Sequence, residues 1–120
     1  MINALETAST QWTLDKLLDL ISELNDNYAE QRAYACQMLL RALIDHVPPI
    51  FGQRTFDGVA ASTGWVRTDK TYMKALAVFR KSGDDVLHRQ LTTRPSRISM
   101  HDMPPSAYIN ALLQGVLDHL

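Results

Sequence analysis

Two short polar clusters carry the side chains best suited to chemistry. In the first, Arg41, Asp45 and His46 close a strongly apolar stretch, and Arg41 and Asp45 stand four residues apart, able to pair along one helix surface. His46 falls near the end of that stretch, where the helix dipole favours an imidazolium. In the second, Asp84 and His88 repeat the spacing of four. A carboxylate so placed fixes the imidazole tautomer and raises its basicity. Brought together, the clusters would form a general acid–base site. Taken singly, each also suits helix caps and surface ion pairs, so the residues alone leave open whether the protein is an enzyme.

A third group is cationic. Arg80, Lys81, Arg89, Arg94 and Arg97 surround His88 and His101, a density of positive charge that can neutralise several phosphates or meet an acidic protein face. Aromatic residues are sparse in that stretch, which argues against base stacking on it. No metal site is expected: His46, His88, His101 and His119 lack paired-ligand spacing, and the single cysteine, Cys36, sits in an apolar run. His119, at the end of the chain, reads as solvated. No Gly-rich phosphate loop occurs and no cofactor is expected, and nothing places a serine on the strained turn that a Ser–His–Asp site uses.

Helices must position these groups. Leu14, Leu17, Leu18, Ile21 and Leu24 recur at helical spacing after Thr13, the expected N-cap, and Asn25-Asp26-Asn27 reads as a turn. A second helix is predicted from about Ala29 to Val47. It buries Cys36, Leu39, Leu40, Leu43 and Val47, and Tyr34, Met38, Ala42 and Ile44 broaden its apolar band until it can be touched from several sides. Pro48-Pro49 ends it and Gly52 permits a reversal. A short helix capped by Thr55 is expected over Phe56–Ala61, followed by a loop anchored by Trp65. Another helix covers about Lys70 to Lys81 and resumes from Asp84 to Leu91, with Gly83 as a break or an absorbed residue. Thr92 to Ser99 reads as an exposed loop. The last helix follows Asp102 or Ser106, with Ile109, Leu112, Leu113, Val116, Leu117 and Leu120 in clean helical register. The pattern predicts an all-α fold: a single bundle of five to six helices over residues 12–120, a flexible polar arm over 1–11, and at most one short strand or extended segment near 96–100.

Composition agrees with a single globular domain of 120 residues, 46% hydrophobic and 21% charged. No apolar run long enough for a membrane span is present, and the first residues lack the order of a secretory signal, so no membrane association is expected and the cytoplasm is the expected compartment. Charge is unevenly placed. Residues 1–50 hold three basic against seven acidic groups, net −4, whereas residues 51–101 hold nine against four, net +5. The basic middle either attracts an anionic partner or offsets the acidic first half within the fold.

The segment Leu39-Leu40-Arg41-Ala42-Leu43-Ile44-Asp45-His46-Val47-Pro48-Pro49-Ile50-Phe51-Gly52, with Glu23-Leu24-Asn25 before it and Asp84 and Leu87-His88 after it, resembles the core of a widespread bacterial helical domain. More loosely, an arginine followed at short spacing by a histidine in a helical domain is similar to the HEPN superfamily. That likeness implies an RNA-cleaving or RNA-binding protein, a homodimer, in toxin-like or phage-defence systems. Arg41 and His46 would be its catalytic pair and Asp45 a polar helper.

Three readings follow. The first is a helical domain of a bacterial or phage conflict system that binds RNA or a protein partner, in its sharpest form a HEPN-like ribonuclease. The second is a non-catalytic protein-interaction module, and the third a non-specific nucleic-acid binder.

Overall fold

Four long helices and two short ones account for most of the chain. The computed structural model describes residues 2–120, and the side chains of all of these except 83–86. The helices are α1 (Ile2–Thr7), α2 (Asp15–Ala29), α3 (Ala33–His46), α4 (Phe56–Ala61), α5 (Arg67–His88) and α6 (Ser106–Asp118). Two 3-10 turns, Pro48–Phe51 and Met100–Asp102, join them, and no strand occurs among the described residues. The fold is all-α, as the periodicity predicts.

Helix α3 is central. It packs against α2, α5 and the Pro48–Phe51 turn, while α5 packs in addition on α4 and α6. Leu40, Leu43, Ile44 and Val47 are wholly buried and meet Leu17, Ile21 and Leu24 of α2, Met73 and Leu76 of α5, and Leu112 and Val116 of α6 in one core. Proline stops α3 as expected, because Pro48 and Pro49 supply no amide donors for another turn. Gly52 then reverses the chain at φ 72°, its N–H donating to the Pro49 carbonyl. Thr55 caps α4 by accepting from the Gly58 N–H, and α5 runs unbroken from Arg67 to His88.

Several expectations need correction. Residues 2–7, read as part of a polar arm, form α1, and Leu5 is buried against the core. Ile2 and Leu5, three residues apart and both packed on the core, are too short a run to stand out as a period. Thr13 is not the cap of α2, which begins after Leu14 without a side-chain cap. The Asn25-Asp26-Asn27 turn does not form. The Asn27 side-chain amide donates to the Glu23 carbonyl at 2.8 Å, and α2 continues to Ala29. The chain turns instead at Gln31, whose φ of 56° is left-handed, with the Arg32 N–H returning to the Asn27 carbonyl. Near 96–100 no strand forms: Ser99 is extended, and Met100 opens the second 3-10 turn. The Ile98 N–H goes to the Tyr34 hydroxyl at 3.4 Å, and Ser99 with Asp102 closes a capping box on the second 3-10 turn.

The α4–α5 connection is pinned to α6 through Trp65. Its indole N–H donates to the Val59 carbonyl at 2.8 Å, and its ring lies where Gly115 has no side chain. Phe51 packs beside the indole and against His119. His119 is therefore not merely solvated, since its Nδ1–H reaches the Gly115 carbonyl at 2.7 Å. A Cβ on Gly115 would stand 2.3 Å from Trp65 Cη2. Gly115→Ala is accordingly expected to destabilise the fold by about 1–3 kcal/mol from overpacking, against a helix-propensity gain of about 1 kcal/mol. Denaturant melts test this. In a Trp65→Ala background the same substitution should become neutral or stabilising.

Candidate functional site

An α-helix turns about 100° per residue, so positions 34, 38, 41 and 45 share one face of α3. That face lies opposite Cys36, Leu43 and Val47, which fill the core. Tyr34 is 44% and Met38 54% exposed, so these two do not broaden the buried band as their apolarity suggests. They form, with Arg41 and Asp45, an outward stripe. Eleven residues at about 1.5 Å each give it a length of about 16 Å.

Three recesses lie along this stripe. The middle one, about 340 Å³, is lined by Met38, Arg41, Ala42 and Asp45 of α3 and by Leu87 and His88 of α5. It brings together three of the five acid–base candidates. Asp45 also borders the second recess, about 330 Å³, with Arg54, Asp57 and Arg80. At the other end Tyr34 borders the third, about 520 Å³, with Gln31, Arg97 and His101. Four arginines and two histidines thus face the track, against two aspartates.

Asp45 is held. Arg80 donates from Nε to one carboxylate oxygen and from Nη2 to the other, the latter at 3.5 Å. Both side chains are more than a third exposed, so this pair is worth about 0–1 kcal/mol, and its role is to orient the carboxylate. Lys81 reaches Asp57 at 3.5 Å in a still more exposed pair. Arg89 Nη1 donates to Ser96 Oγ at 3.4 Å and links the end of α5 to the loop, where Arg94 and Arg97 are exposed.

His46 does not join the recess. Five residues from Arg41 is about 140° around the helix, which carries His46 towards α2. Burial there, and secondly the Lys16 charge, hold its imidazole below its usual value. The side chain of Asp84 lies outside the described residues. Cys36 is buried, and that burial raises its thiol, which leaves it poorly suited to act as a nucleophile. No group of three His, Cys, Asp or Glu side chains that could hold a metal occurs among the described residues. Nor is any helix among them long and apolar enough to cross a membrane.

The sequence reading missed Tyr34, the aromatic that the fold carries from α3 to the basic loop. Its i, i+4, i+7, i+11 relation to Met38, Arg41 and Asp45 was the available signal. The environment of His46 generates a pH prediction. Its folded-state value lies below its unfolded value of about 6.5, so the unfolded chain binds the proton first as pH falls. The stabilising contribution is complete above that value and is lost on acidification through the window beneath it. His46→Gln should flatten the decline of melting temperature between neutral pH and about pH 5 relative to the parent protein. Parallel declines would place the imidazole in solvent.

No family model, curated protein or solved structure matches this chain.

Proposed function

We propose that the outer face of α3 binds single-stranded RNA, with the chain acting as an RNA-binding helical domain of a bacterial or phage conflict system. The observation that carries this reading is the alignment of three recesses along one stripe, with an exposed tyrosine beside Arg97 and His101 at one end and cationic groups along the rest. Single strands offer bases that stack on aromatic faces and phosphates that arginines neutralise. Tyr34 supplies the face, and Arg97, Arg41 and Arg54 the charge. Arginine presents five N–H donors, so a guanidinium already engaged within the protein can still reach a phosphate oxygen.

A cleaving form of this reading is favoured by one further observation. Arg41 and His88 line the same recess, so a phosphate clamp and an imidazole base stand on the proposed path of the strand. Under that form His88→Ala abolishes RNA cleavage and His46→Ala preserves it, the reverse of what the Arg41–His46 spacing implies.

Fluorescence anisotropy with a labelled oligouridine tests binding. Affinity should fall steeply as salt rises, with Arg97→Glu weakening it and reducing the salt slope by about one. Tyr34→Ala should cost about 1–3 kcal/mol, whereas Tyr34→Phe, which retains the ring, should bind nearly as the parent does. A flat salt response, or equal loss in the Ala and Phe variants, would overturn the reading and leave a protein partner as the alternative.

A further inference from the structure

The track along α3 carries a carboxylate where a path for phosphates should carry none. Among the described residues, only Asp45 borders two of the three recesses, the middle one with Arg41 and His88 and the next with Arg54 and Asp57. A strand passing from one recess to the other therefore crosses this side chain. The carboxylate is held in place there, because Arg80 donates from Nε to one oxygen and from Nη2 to the other at 3.5 Å. Its side chain is nevertheless 41% exposed. An ionised carboxylate has about four lone-pair sites and a guanidinium fork takes two, so Asp45 accepts a further donor without giving up Arg80.

We propose that Asp45 distinguishes RNA from DNA by accepting the hydrogen of a ribose 2′-hydroxyl, an inference that rests on the RNA reading of the α3 face. A phosphate is disfavoured on this ridge, since like charges in contact repel. What the strand presents there must be a donor, either a base edge or a sugar hydroxyl. Base edges change from one nucleotide to the next, whereas the 2′-hydroxyl recurs at every one and both donates and accepts. Stacking and charge, which hold the strand elsewhere on the face, are indifferent to sequence. A carboxylate in the path of such a strand meets a 2′-hydroxyl in every register. DNA offers only a C–H at that point, so the carboxylate would lose water on that side and gain no partner. Asp45 is thus the residue that makes a sequence-tolerant surface selective for the sugar.

Anisotropy with two labelled oligouridines of equal length tests this, one with natural ribose and one with 2′-fluoro sugars. Fluorine removes the donor and keeps the RNA-like sugar pucker, while bases and phosphates stay the same. The full chain should bind the ribose strand about tenfold more tightly. Asp45→Ala, at an exposed position in a helix that alanine suits, should keep the fold and bind both strands alike. It should hold the 2′-fluoro strand at least as well as the parent does, because a negative charge is gone and Arg80 is released towards phosphate. Equal affinity of the parent for both strands, or a preference that survives Asp45→Ala, overturns the role of Asp45 and leaves RNA binding standing. If neither strand binds, the RNA reading itself falls, and this selectivity with it.

Discussion

The burial of one face of α3 is the constraint from which the rest of the molecule follows. Leu40, Leu43, Ile44 and Val47 are removed from water completely, each worth about 1.5–3 kcal/mol relative to exposure. Once those four point inward, the helical repeat leaves Tyr34, Met38, Arg41 and Asp45 no choice but to point out. The outward stripe is thus the geometric complement of the core, and no rotation of α3 could alter one without altering the other. Pro48-Pro49 reinforces this by stopping α3 where its buried ridge ends, so that the following turn can lie against the helix end and deliver Phe51 to Trp65 and His119.

Helix α5 supplies the opposing wall of the central recess, and its register is set by apolar contacts. Met73 and Leu76 are wholly buried, and Tyr72 stacks on Tyr108 of α6 with ring centres 4.2 Å apart. The Asp45–Arg80 and Asp57–Lys81 pairs are too exposed to fix a helix by themselves. They act on rotamers: with the backbone already placed, Arg80 aligns the Asp45 carboxylate at the boundary of two recesses. Packing sets position here and charge sets orientation. A site on two packed helices holds its geometry better than one carried on loops.

What the sequence made legible follows the same division. Helices α3 and α6 could be read because their buried residues repeat at three and four, and the α4 cap and the Gly52 reversal because each rests on one residue with few alternatives. Helix α1 was not legible, since Ile2 and Leu5, its apolar contacts with the core, make a single interval of three and not a repeat. The α2 terminus was misread because Asn27 can break a helix or donate to a carbonyl inside one, and tertiary packing decided between the two. At the site, the spacing of Arg41 and Asp45 showed that they share a face. It could not show that α5 would bring His88 to them, nor that the loop at Arg97 would fold back onto Tyr34. Those encounters join residues distant in the chain. For His46 the register alone already told against a shared recess, since an interval of five separates side chains that an interval of four aligns.

Overall neutrality also conceals a division of field. The acidic residues of α2, among them Asp15, Asp19, Glu23 and Asp26, are exposed, while the arginines cluster on the α3 stripe and the loop after α5. A polyanion approaching the molecule is repelled by the first surface and drawn to the second, so orientation begins before contact. The arrangement lets one small helical bundle keep an acidic surface and a cationic one apart.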